Sequence, residues 1–137
     1  MSKNDVARMW ALNYQLLMSV IARVAPALAA LRLDPKELFL LAEVDEHPHP
    51  AELATVLCMP KPTVTVIVKR LEAAGFLRRA IDPGDLRRHR LTITPSGRKA
   101  ITRGLALLSD AFGVRLERLE PRERTRLKAL LEKLGET

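Results

Sequence analysis

The apolar spacing of this chain is helical along almost its whole length and breaks once, just past Gly75. There the period drops from about 3.6 residues to 2. Leu77, Arg79 and Ile81 share one face of a strand, and Leu91 and Ile93 alternate with Arg90, Thr92 and Thr94 in a second. Asp82-Pro83-Gly84-Asp85 between them is turn chemistry, so the pair reads as a hairpin with a basic tip. One hairpin among helices makes the expected fold mainly α with a small β-hairpin.

The helical remainder divides at recognisable signals. Val6, Met9, Trp10, Leu17, Val20, Ile21, Val24, Leu28 and Leu31 keep helical spacing from Asp5 to Leu31, with Pro26 either kinking the helix or opening a second segment. A helix that long in so small a chain favours packing against another subunit. Asp34-Pro35-Lys36-Glu37 is a capping box with proline at the first helical position. The helix it starts stops at His47-Pro48-His49-Pro50. A short helix then spans 51–57, Cys58-Met59 is a tight connection, and Pro60-Lys61-Pro62 opens a helix to Ala74 that Gly75 ends. Thr94 caps a further helix with Pro95 near its start, and Pro121 begins a last one with Leu127, Leu130, Leu131 and Leu134 on one face.

Charge is as unevenly placed as the period. The 137 residues carry 23 Lys and Arg against 16 Asp and Glu, a net of +7. Residues 60–99 hold ten basic and three acidic side chains, which is the whole excess; the other 97 residues hold 13 of each. A polyanion is the expected partner of such a block. With 47% apolar and 28% charged residues, the chain can bury a core, which excludes a wholly disordered protein.

The block falls on two adjacent elements. Two short helices joined by a tight turn over residues 51–74 form a helix-turn-helix pattern. In the second, Val64, Ile67, Val68 and Leu71 follow core spacing. Lys61, Thr65 and Lys69 line another face, flanked by Thr63, Val66 and Arg70. Such a face suits the major groove: the cations reach phosphates or guanine edges, threonine offers a hydroxyl, and Val66 can meet a thymine methyl. A solvated amphipathic helix has the same pattern. The hairpin tip, Arg87-Arg88-His89-Arg90, tips the balance toward duplex DNA, because a cationic hairpin right after a helix-turn-helix is a wing. It crosses the backbone and can set an arginine in the minor groove. Asp85, two residues before Arg87, is placed to hold that guanidinium.

These residues resemble the MarR-type winged-helix regulators over nearly the whole chain. Glu52-Leu53-Ala54, Leu57, Thr63-Val64-Thr65 and Arg70-Leu71-Glu72-Ala73-Ala74-Gly75-Phe76 are similar to the family's helix-turn-helix and its step into the wing. Asp85-Leu86-Arg87, then Ile93-Thr94 and Gly97, follow its D-x-R…L-T-x-x-G wing signature, with Ile for Leu. Leu119 through Leu134 resembles its closing helix. Two departures are Cys58, where the family often has glycine, and Pro60, where it usually has a serine cap.

The resemblance implies a winged helix-turn-helix domain over 33–97 and an intertwined helical dimerisation region from 1–32 and 98–137. It implies a homodimer on a palindromic operator, usually a repressor released by a small molecule or oxidant. Arg87 would enter the minor groove with Asp85 as its partner. Lys61, Pro62, Thr63, Thr65 and Lys69 would lie in or beside the major groove, with Arg70, Arg88 and Arg90 as further DNA contacts.

Other readings are weaker. His47, Pro48 and His49 with Asp45 and Glu46 suggest a metal site only loosely, since histidines separated by proline are commonly surface turn residues; neither metal nor cofactor is expected. No phosphate loop or nucleophile elbow is present, so catalysis is not expected. Cys58 is a redox candidate by its place before a helix N-terminus, or else a small apolar residue filling a turn. Trp10 and Tyr14 either line an effector cavity or pack in an interface. One cysteine allows no internal disulfide, and neither a signal peptide nor an apolar run of about 20 residues is evident, so the expected location is cytoplasmic, off the membrane. The alternatives are a non-specific architectural nucleic-acid binder, or a winged-helix protein-interaction or metal-dependent regulator.

Overall fold

Capping chemistry sets most element boundaries in the computed structural model, which describes Met1–Glu136. In order these elements are α1 (Lys3–Ala30), α2 (Pro35–Glu43), α3 (Pro50–Val56), α4 (Lys61–Ala73), β1 (Leu77–Asp82), β2 (Asp85–Ile93), α5 (Pro95–Leu116) and α6 (Pro121–Gly135). Asp34 and Glu37 cap α2 reciprocally, at 2.8 and 3.0 Å. The Thr94 hydroxyl accepts from the Gly97 N–H at the start of α5. The start of α1 lies two residues before the sequence expectation, because Ser2 and Asp5 form a second capping box. Pro26 does not divide α1; one helix runs through it.

Three helices end alike, with the chain turning through a left-handed residue. At the ends of α1, α3 and α4 these are Arg32 (φ 65°), Cys58 (φ 52°) and Gly75 (φ 81°). At each, the next residue's N–H returns to a carbonyl five residues back: Leu33 to Leu28, Met59 to Ala54, and Phe76 to Leu71. Cys58 therefore adopts the backbone a glycine would take, and it is exposed rather than filling the turn. A left-handed non-glycine residue costs about 1–2 kcal/mol, and glycine gives back part of this in chain entropy. Cys58→Gly should then raise stability by about 0.5–1 kcal/mol, read as a later urea midpoint. A midpoint that stays or falls would show the turn to be unstrained.

The core sits in the winged segment, closed by the second half of α1 and the first half of α5. Leu28, Leu38, Leu40, Leu41, Val44, Leu53, Val64 and Leu71 are its most completely buried side chains. β1 and β2 pair antiparallel, Leu77 opposite Ile93 and Arg79 opposite Leu91. Only the base of the hairpin reaches the apolar core: Leu77, Leu91 and Ile93 are buried, whereas Ile81 is exposed.

The first half of α1 and all of α6 lie outside this core. Val6, Met9, Trp10, Leu17, Leu131 and Leu134 are half to fully exposed, and α6 buries nothing. α1 is also apolar and long enough to cross a membrane by length and composition, contrary to the sequence expectation. A subunit interface accounts for that character equally well, since its second half already packs in the core.

Candidate nucleic-acid interface

α4 divides as its spacing predicts. Val64, Ile67, Val68 and Leu71 are buried, and Lys61, Pro62, Thr65, Val66 and Lys69 are exposed, with Thr63 half-buried. Pro60 precedes the helix without offering a side-chain cap, so the first turn of α4 keeps free backbone N–H groups at its exposed end. Arg70 departs from the expected row. Its guanidinium lies 3.4 Å from Glu37 and 3.8 Å from Asp34, on α2. Glu37 is buried, which raises its carboxyl pKa; the Asp34 N–H and Arg70 oppose that rise.

The wing presents Arg87 almost fully to solvent, its side chain 92% exposed. Asp85 Oδ1 accepts from the Arg87 backbone N–H at 3.0 Å and from its Nε at 3.3 Å, as the spacing suggests. The carboxylate fixes one edge of the guanidinium and leaves the other pointing outward. Arg88 turns back to Asp82, its Nε 3.3 Å from Oδ2, whereas Arg90 is exposed.

The structure corrects the reading of the histidine turn. His47 is partly exposed, 3.6 Å from Glu52, but His49 is buried and faces the wing. Its Nδ1 lies 3.0 Å from the His89 carbonyl and its Nε2 3.2 Å from Asp82 Oδ2. The set of His47 and His49 with Asp45 and Glu46 is not brought together. Asp45 pairs with Arg98 at 2.9 Å, which holds its carboxyl below the usual range. Glu43, Glu46 and His47 do approach one another, but at the surface, where acidic groups gather without an ion.

Ion pairing redistributes the basic block. Arg70, Arg79, Arg88 and Arg98 neutralise carboxylates on the body or at the wing turn. Among the described residues, Lys61 and Lys69 on α4, Arg78 and Arg90 on the wing, and Lys99 make no ion pair, and Arg87 stays exposed despite Asp85. Arg78, which sequence reasoning did not single out as a contact, is exposed on the strand face opposite buried Leu77. His49 and Asp82 were missed because the contact joins residues far apart in sequence.

Residues 33–89 match the MarR family model. Over that segment, which holds the helix-turn-helix and most of the hairpin, the chain is similar to the MarR-type winged helix-turn-helix family. No curated protein sequence is significantly similar to it. The fold superposes on a mutant Escherichia coli MarR crystallised with operator DNA (TM-score 0.82, 20% identity, 97% of each chain). It also matches Staphylococcus aureus MepR in a DNA complex (0.76, 19%, 98% of this chain and 96% of that one). A Mycobacterium tuberculosis MarR family protein, Rv2887, crystallised with p-aminosalicylic acid, is similar as well (0.75, 27%, 92% and 97%).

An apolar cavity of about 370 Å³ lies among α1, α2, α5 and α6. Leu17, Val20, Phe39, Leu108, Phe112 and Leu131 are among its walls. The two effector candidates are not: Trp10 and Tyr14 stand exposed on the outer half of α1. Cys58, at the helix-turn-helix turn, has its sulfur 3.9 Å from the Thr55 carbonyl.

Proposed function

We propose that the protein is a transcriptional regulator that binds double-stranded DNA sequence-specifically, as a homodimer on a palindromic operator. In this reading it is a cytoplasmic repressor, released by a small-molecule or oxidant signal. The observation that carries the proposal is the placement of exposed cations. Lys61 and Lys69 flank Thr65 on the exposed face of α4, and Arg87 stands at the tip of the next element. Threonine and valine between the lysines give that face groups that read base edges, which a purely electrostatic, architectural binder does not need.

The winged part, 33–97, would supply the DNA contacts. Residues 1–32 and 98–137 would form the dimer, their exposed apolar side chains meeting those of the second subunit. The DNA complexes of MarR and MepR support the first point, and the p-aminosalicylic acid complex of Rv2887 supports an effector. The cavity among α1, α2, α5 and α6 has the apolar lining and size a small organic effector needs.

Arg87 gives the direct test. On a duplex selected by the wild-type protein, Arg87→Ala should weaken binding by about 1–3 kcal/mol and remove protection at the wing position. Unchanged affinity and footprint would take the wing out of the interface. Competition with random duplex at physiological salt separates the alternatives, since an architectural protein would show almost no preference.

A further inference from the structure

We propose that His49 is a positioning residue for the wing, clasping it to the entrance of α3 and so setting where Arg87 meets DNA. The inference rests on the DNA-binding reading above. Its geometry does not: His49 is 5% exposed, and each ring nitrogen faces an acceptor on the hairpin. One is the His89 carbonyl in β2, the other the Asp82 carboxylate at the wing turn. Beside it the Leu91 N–H donates to the Pro48 carbonyl at 2.8 Å. Residues 48–49 therefore tie α3 to β2 by backbone and side chain together.

Asp82 extends the clasp to the tip. Although buried, its carboxylate takes the Gly84 N–H at 2.7 Å and Arg88 Nε at 3.3 Å besides His49. The Gly84 N–H keeps its pKa low against burial, helped by Arg88, His49 and Arg90. Gly84 leads directly into Asp85, which holds Arg87. A continuous polar path thus runs from the first residue before α3 to the arginine that the wing presents. Since α3 packs on α4, recognition helix and wing share this anchor. A buried polar group that loses one partner leaves the other unsatisfied, so the path acts as a unit.

Three variants separate the two contacts. Glutamine carries its amide nitrogen near the place of Nε2, toward Asp82, and asparagine near Nδ1, toward the His89 carbonyl. On a duplex selected by the wild-type protein, His49→Ala should weaken binding about tenfold, or about 1.4 kcal/mol. His49→Gln should recover most of that loss and His49→Asn little of it. In the His49→Ala background, Arg87→Ala should add much less than it costs in the wild type.

Equal losses in the glutamine and asparagine variants, with full additivity to Arg87→Ala, would overturn the proposal. If His49→Ala does not fold, the glutamine–asparagine comparison decides. If the wild type prefers no duplex, the DNA-binding reading fails, and amide exchange then judges the clasp alone. Faster exchange at Gly84 and Leu91 in the variant that loses Asp82 would uphold it; unchanged exchange would overturn it.

Discussion

Gly97→Ala should lower the free energy of unfolding by about 3 kcal/mol, from the cost of overpacking a site that cannot relax. Gly97 is buried in the first turn of α5, where that turn crosses the chain between α4 and β1. A Cβ there would drive into the Phe76 carbonyl and crowd Ile93 Cγ2 at 3.0 Å. The carbonyl has no room to yield, because it already accepts the Thr94 N–H at 3.1 Å. Gly104→Ala is the matched control. Its Cβ would meet only side-chain methyls, Leu38 Cδ1 at 2.7 Å and Cδ2 at 3.1 Å and Leu28 Cδ2 at 3.3 Å, which shift more readily than a hydrogen-bonded backbone carbonyl. Urea unfolding of both variants should show the Gly97 loss to be clearly larger. Equal midpoints would mean that the α5 junction is not rigid.

The second large effect concerns assembly. If the chain pairs as proposed above, Leu17→Glu should leave a monomer in sedimentation and reduce affinity for a two-half-site duplex by about 100-fold or more, because linked sites reinforce each other through effective concentration. Leu17 is 53% exposed on a face of α1 shared by other exposed apolar side chains, an arrangement a lone subunit rarely tolerates in water. It also borders the cavity next to Leu131 of α6, so a charge there would be unpaired in an apolar setting. Leu17 is not part of the buried cluster that holds the winged segment, so the monomer should keep that segment folded. A Leu17→Glu protein that remains dimeric and binds as before would move the interface elsewhere.

What was legible in the sequence was local. The Asp34–Glu37 box, the split of α4 into a buried and a cationic face, the Pro83-Gly84 turn and the Thr94 cap each depend on residues within a turn or two. The structure reproduces each of them. Asp85 beside Arg87 belongs to this class as well. The Ser2–Asp5 box was equally local and was overlooked.

What could not be read depends on tertiary proximity. His49 looked like a turn residue because its partners lie in the hairpin, and periodicity carries no information about them. Arg70 and Arg98 looked like free cations until α2 and the residues after it closed on them. The charge block survives this correction in sharper form, with its unpaired members on α4 and the wing. The path of the chain at Cys58 was also hidden, since a non-glycine residue in a left-handed turn leaves no pattern to read.

The central claim is that two copies of this chain read duplex DNA with paired recognition helices and wings. Selecting bound fragments from random duplex DNA, at physiological salt and with sequencing of the survivors, tests it most directly. The expected result is an inverted repeat whose half-sites lie about one helical turn apart, or about 10 base pairs. Fragments with no shared motif, or with a single unrepeated half-site, would contradict it.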